Sequence, residues 1–363
     1  MSVKKLLVLG LVAVFVLLLA VMQSKVSNNG RPEAGGPAYL IQGLEPAKVG
    51  IITVKGGSNS TTLKREGDHF IVVEKSGYPA VNRNVNEIIT TCLDLKIGGD
   101  VYTEDKANHK DLGVTEDGAR EIVRFLSPES ELITGVVIGK SREQGPGVYV
   151  RLVSEDKVYV IQNDPYIRTR AIEYVDQNPV TLKNEDIESV TVSSPAGNYT
   201  LKTDGRNIEM VNMPSGKRFK GTEYQQVFNA LTGFYFDDVG KAADYNDLSF
   251  DRQFICRMKD SAVYTVKAAN KGEKWYMTFD AEFTDKTPVT KQDGVESQDE
   301  LEKKEAKLLA RDNMKEFSAK HSGWVYEIAE YNGKLMTKDI SELLEDDIKS
   351  DANAPADPNK AKK

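Results

Sequence analysis

Gly139-Lys140-Ser141 has the ending of a phosphate-binding loop, Gly-x-x-x-x-Gly-Lys-Ser, in which backbone amides and a lysine cradle phosphate oxygens. The first glycine of such a loop would fall at residue 134, which is Thr134, and the tripeptide leads through Gly145-Pro146-Gly147 into a strand pattern instead of a helix. No phosphate site is expected there. Asp280, Glu282 and Asp285 offer oxygens for a calcium ion, but no glycine bends the chain to gather them, so an acidic solvated loop is the expected use. Asp237-Asp238 is the other carboxylate pair on which general acid–base chemistry could draw. The internal repeat described below matches Asp238 to Asp100, which predicts a structural turn for both. His69, His109 and His321 form no His-x-x-x-His pair and none adjoins a cysteine; no Gly-x-Ser-x-Gly elbow occurs. No catalytic residue, metal or cofactor is expected, and no enzyme.

Two cysteines remain, one in each half: Cys92 on the apolar face of a predicted helix and Cys256 within a predicted strand. Two buried free thiols are expected. A disulfide between the halves would need their Cα atoms within about 7 Å. The net charge of −7, with Lys and Arg interspersed among Asp and Glu, argues against nucleic acid as a main partner.

The elements that must position these residues are duplicated. At an offset of 138, residues 49–101 fall on residues 187–239 without a gap. Identities such as Thr53/Thr191, Leu63/Leu201, Gly67/Gly205, Leu93/Leu231 and Asp100/Asp238 lie at strand, turn and helix positions. In the first copy, Val49–Val54, Thr61–Arg65 and Phe70–Val73 read as strands. Val85, Ile88, Ile89, Cys92 and Leu93 form one helical stripe, which Asn84 can cap. Hairpins are expected from Glu121–Leu126 with Leu132–Ile138 and from Val148–Val153 with Val158–Ile161, and Asp164-Pro165 is expected to open a short helix. The second copy repeats this order, with a helix stripe of Tyr224, Val227, Phe228 and Leu231. The expected fold is α+β: two tandem repeats of an antiparallel sheet with helices packed on one face, preceded by one transmembrane helix.

That helix is the apolar run Leu6–Met22 behind Lys4 and Lys5, including Leu11, Phe15 and Leu19. It would rise about 25 Å, at the short end of a membrane span. A cleaved signal peptide competes, but the run ends Ala20-Val21-Met22-Gln23, a poor cleavage site, so an anchor (1–22) with the body outside is expected. A flexible linker (23–45), a first repeat (46–178), a second repeat (183–345) and a disordered tail (346–363) should follow. The second repeat departs from the first at Trp275–Phe279, whose partner strand Trp324–Ile328 arrives only after an insertion at about 285–321. Glu296–Lys320 reads as a solvated helix with a weak stripe of Leu301, Leu308, Leu309, Met314 and Phe317. Either the stripe docks on its own domain or it contacts a partner, in which case the insertion should be separable from the body.

Leu63-Lys64-Arg65-Glu66-Gly67, Leu112-Gly113-Val114, Val136-Val137-Ile138-Gly139-Lys140, Gly147-Val148-Tyr149-Val150-Arg151, Val158-Tyr159-Val160-Ile161 and Gly323-Trp324-Val325-Tyr326-Glu327-Ile328 follow in order. In that order, behind an N-terminal anchor, they resemble the bacterial family called domain of unknown function (DUF) 4340, from about residue 46 to 345. Phe70 and Ile208 stand where tryptophan is expected, and the second half has Lys267-Ala268-Ala269 where the first ends a strand at Gly139. The resemblance implies a membrane-tethered protein associated with ABC-type export systems, including those similar to gliding-motility transporters, and assigns no catalytic residue.

The expected function is a membrane-anchored extracytoplasmic accessory or scaffold protein on the bacterial inner membrane, with its body in the periplasm or outside the cell. Its partner would be an ABC-type permease or an associated envelope protein, bound through sheet edges or the inserted helix. The alternative is a lipid- or glycan-binding envelope protein using the groove between the repeats, with Tyr235, Phe236, Trp275 and Tyr276 as candidate lining.

Overall fold

A computed structural model describes residues 38–98, 100–290 and 297–347. The anchor residues Leu6, Leu11, Phe15, Leu19 and Met22 lie outside the described residues, as do most of the linker and of the tail. Among the described residues no helix is long and apolar enough to cross a membrane.

The fold is mixed α+β, with large antiparallel sheets and few helices. The first sheet contains β1 (Ala38–Tyr39), β2 (Ile51–Gly56), β3 (Asn59–Glu66), β4 (His69–Val72), β5 (Tyr78–Pro79), β6 (Lys96–Ile97), β7 (Glu121–Leu126), β8 (Leu132–Ser141), β9 (Val148–Leu152) and β10 (Val158–Ile161). The second contains β11 (Ile187–Ser194), β12 (Gly197–Thr203), β13 (Ile208–Met210), β15 (Asp238–Lys241), β16 (Arg252–Met258), β17 (Ala262–Lys271), β18 (Lys274–Phe283) and β19 (Trp324–Ile328). A small separate pair joins β14 (Lys217–Phe219) to β20 (Leu344–Asp346). Read from β4 to β6, the first sheet runs β4-β3-β2-β7-β8-β9-β10-β6; the second runs β13-β12-β11-β16-β17-β18-β19-β15, the same succession of hairpins. Register repeats with order: Ile52 faces Leu63 and, 138 residues on, Val190 faces Leu201.

Alternation explains the strands. Ile52 and Val54 are fully buried, while Thr53 and Lys55 turn to the other face. Helix α1 (Asn82–Leu93) buries Val85, Ile88, Ile89 and Cys92 in the common core. Its start differs from the expected one. The N-cap is Val81, whose amide donates to Tyr174 O, and Asn84 lies inside the helix donating its Nδ2 to Glu173 O at 2.7 Å. Asp164 opens no helix either: Arg120 holds its carboxylate through both guanidinium Nη groups, leaving it unavailable as a cap.

Three sequence boundaries also move. Leu40, Ile41 and Leu44 are buried in the core, so the packed body begins inside the expected linker. Residues Leu344–Asp346, at the edge of the expected tail, form a strand. In the second half, α2 (Glu223–Phe228) contains Tyr224, Val227 and Phe228 of the predicted stripe, and Leu231 is buried in the turn beyond it.

Four of the segments carrying the family resemblance send residues to the first sheet's other face. Leu112, Val114, Ile122, Val137 and Val158 form a small separate core there. Arg151 is buried with it and donates to the carbonyls of Val114 (2.7 Å), Leu152, Val153 and Glu155. Lys140 N donates to Leu112 O, and Gly139 lets the two backbones meet: a Cβ there would stand 2.5 Å from Leu112 O and 2.7 Å from Val114 Cγ1. Gly139→Ala should therefore destabilise the chain by about 1–3 kcal/mol, as overpacking does. Urea melts of the two proteins would measure this, and equal midpoints would refute the close-approach account.

Candidate functional site

The chemistry-bearing residues do not gather. Among the described residues no group of three His, Cys, Asp or Glu side chains could hold a metal ion. Asp285 is ion-paired to Lys307 at 2.6 Å, which, with the Thr287 amide, holds its carboxyl down at about 2. Asp280 accepts from the Ser318 hydroxyl. Asp238 is not merely a turn residue: Lys75, 163 residues earlier, donates to it at 2.7 Å and ties the two sheets together. Cys92 and Cys256 are free and buried, and burial pushes both thiols up to about 12. The four aromatic candidates share no groove. Phe236 is fully buried, Trp275 and Tyr276 are buried on opposite faces of β18, and Tyr235 is 58% exposed.

Helix α3 (Gln298–His321), inserted between β18 and β19, has no counterpart in the first half among the described residues. It begins two residues after the expected Glu296, on a capping box that was not singled out: Ser297 accepts from Glu300 N, and the Glu300 carboxylate accepts from Ser297 N. The predicted stripe is not one face. At about 100° per residue, Met314 and Phe317 fall within roughly 60° of Ala310 and His321, whereas Leu301 and Leu308 lie about 160° away. Accordingly Ala310, Met314 and His321 are buried and Phe317 is half-buried with its ring edge-on to Tyr264. Leu308 is half-buried, while Leu301 and Leu309 are 52% and 60% exposed. Ala310 and His321 were missed because neither reads as part of an apolar stripe; the i, i+4, i+7, i+11 spacing from Ala310 was the available signal.

Between α3 and the chain leaving β18 runs a groove of about 630 Å³. Phe283, Pro288, Val289, Leu308 and Met314 supply its apolar lining; Lys307, Arg311 and Lys315 line it from α3, and Glu282, Asp285 and Lys286 from the other wall, four cations against two anions. Lys304 Nζ donates to Thr290 O at 2.6 Å and holds the far wall against the helix.

A protein-family model described as "Domain of unknown function (DUF4340)" matches residues 72–253, 182 of the 363 residues. The chain belongs to this family. No curated protein matches it. In this DUF4340 chain the matched segment runs from the end of β4 into β16, so it contains α1, the Gly139–Leu112 contact and the Lys75–Asp238 ion pair, while the groove and the strands β18 and β19 lie outside it.

At the join stands His321, the last residue of α3. Its Nδ1 lies 2.6 Å from the Tyr326 hydroxyl, which is 3.4 Å from the hydroxyl of Tyr78 in the first sheet. Phe236 and Phe279 pack on the Tyr326 ring at 4.8 and 5.2 Å, and Trp324 packs on Tyr78 at 4.8 Å. Burial, with the neighbouring Lys320 charge, pushes the His321 imidazole down to about 4, so it is neutral at pH 7. The unfolded chain takes up this proton near 6.5 and the folded chain only near 4, so the contribution is complete above 6.5 and is lost as pH falls through that window. Wild-type DUF4340 chain should lose up to about 3 kcal/mol more stability than His321→Gln between pH 6.5 and 4. Parallel urea melts would show it; identical pH slopes for the two proteins would contradict it.

Proposed function

We propose that this chain is a membrane-anchored, non-enzymatic accessory protein on the outer face of the bacterial inner membrane, an auxiliary subunit of an ABC-type transport system. The run Leu6–Met22 behind Lys4 and Lys5 supports the anchor and its orientation. The repeated strand order and register support a duplicated scaffold. Family membership supports the transporter association through the resemblance alone, because no substrate or partner comes with the family's description.

The observation that carries the scaffold reading is α3. It is absent from the first half, it is locked to the core at Met314 and His321, and it turns Leu301 and Leu309 to solvent, while a basic-rimmed groove runs along another flank. A rigid element that presents unpartnered apolar side chains is suited to receiving a membrane protein such as a permease or an associated envelope protein. The lipid- or glycan-binding alternative has less behind it, since three of its four aromatic candidates are buried.

The insertion is not separable. Removing residues 285–321 would uncover Phe279 and Tyr326, so such a deletion would report on folding as well as on partners. The discriminating variant is Leu301→Asp with Leu309→Asp in the full chain, both surface changes. Purified in mild detergent, the wild type should retain a permease-type membrane protein. The variant should keep its melting temperature and retain at least about fivefold less, which corresponds to about 1 kcal/mol of binding free energy. Equal retention would remove α3 from the proposal. The anchor predicts that the chain stays with the membrane fraction through an alkaline carbonate wash, and its release by that wash would count against a membrane span.

A further inference from the structure

We infer that the groove beside α3 receives an acidic amphipathic helix of the partner protein. The inference rests on the scaffold reading and adds the chemistry of the contact. Charge is the first reason. On a chain of net charge −7, the groove lining carries four cations and two anions, a local reversal that selects an acidic partner and disfavours a basic one. Two of the cations, Lys286 on one wall and Lys315 on the other, make no ion pair among the described residues. Lys307 is already neutralised by Asp285, and Arg311 has Asp312 at 3.4 Å.

Spacing is the second reason. Arg311 and Lys315 stand one turn apart on α3, at i and i+4, so they meet carboxylates at the same spacing on a helix lying alongside. A lipid headgroup or free phosphate would instead call for cations converging on one point. The apolar strip has the same direction: Leu301 lies two turns before Leu308 on the same side of α3, and Leu308 lines the groove with Val289 and Phe283. Apolar and cationic positions thus alternate along one flank, the complement of a helix that carries Leu-type residues between Asp or Glu residues.

The test uses the full chain in detergent with a fluorescent synthetic helix of about 18 residues, built of Leu, Ala and Glu with Glu at i and i+4 along one edge. A twin carries Lys at each Glu. Anisotropy titration should show saturable binding of the Glu helix, weakened by added salt, and much weaker binding of the Lys twin. Lys286→Glu, Arg311→Glu and Lys315→Glu together should weaken the Glu helix by about tenfold or more, with an unchanged circular dichroism spectrum. No binding, equal binding of the twins, or equal binding to wild type and triple variant would overturn the inference. So would dodecanoate that binds more tightly than the helix and is likewise lost in the triple variant, which would assign the groove to an anionic lipid. If the peptide fails while a permease-type protein is still retained by the full chain, the groove inference falls and the scaffold reading stands.

Discussion

The structure turns on the residue at which its three parts meet. Tyr326 sits in β19, which pairs on one side with β18, across the inserted helix, and on the other with β15. Its ring lies among Phe236 and Phe279 from the second half, and its hydroxyl touches His321 from α3 and Tyr78 from the first sheet. A buried hydroxyl and a buried imidazole each cost desolvation unless they find partners, and here each is the other's. The polar contact therefore fixes which way α3 ends and how the edge of the first sheet meets the second.

Around this contact the two halves share one continuous core. Lys75 reaches Asp238, Lys320 lies 3.6 Å from Asp176, and Gln177 and Phe236 exchange hydrogen bonds through Nε2, N and both carbonyls. The apolar part supplies most of the driving force, and the polar links add specificity of placement.

The family segments serve the backbone. Gly139, Arg151 and Leu112-Gly113-Val114 hold a loop against the first sheet, with glycine where two main chains touch and arginine donating to four backbone carbonyls. In the second half Ala269 takes the place of Gly139, and Tyr245 packs on Tyr276 there instead. The duplication has kept the strands and changed what covers them.

Much of this was legible along the chain. Period-two alternation located most strands, because burial of one face is a local property of a strand. The 138-residue offset gave the repeat, and the pairing of Trp275 with Ile328 across forty-odd residues followed from it. The mixed charges of Glu296–Lys320 marked the inserted helix, which the structure has at Gln298–His321. What escaped the sequence were the roles fixed by distant partners. Asn84 left the cap position for Glu173, Asp164 went to Arg120, and Asp238 found Lys75. The face of α3 was decided the same way: its own pattern is weakly amphipathic, and Tyr264, Phe279 and Tyr326 beneath it chose Met314, Phe317 and His321 over Leu301 and Leu309. Sequence determined the elements because their causes lie within a few residues, and tertiary structure decided the site because its causes lie on the other side of the fold.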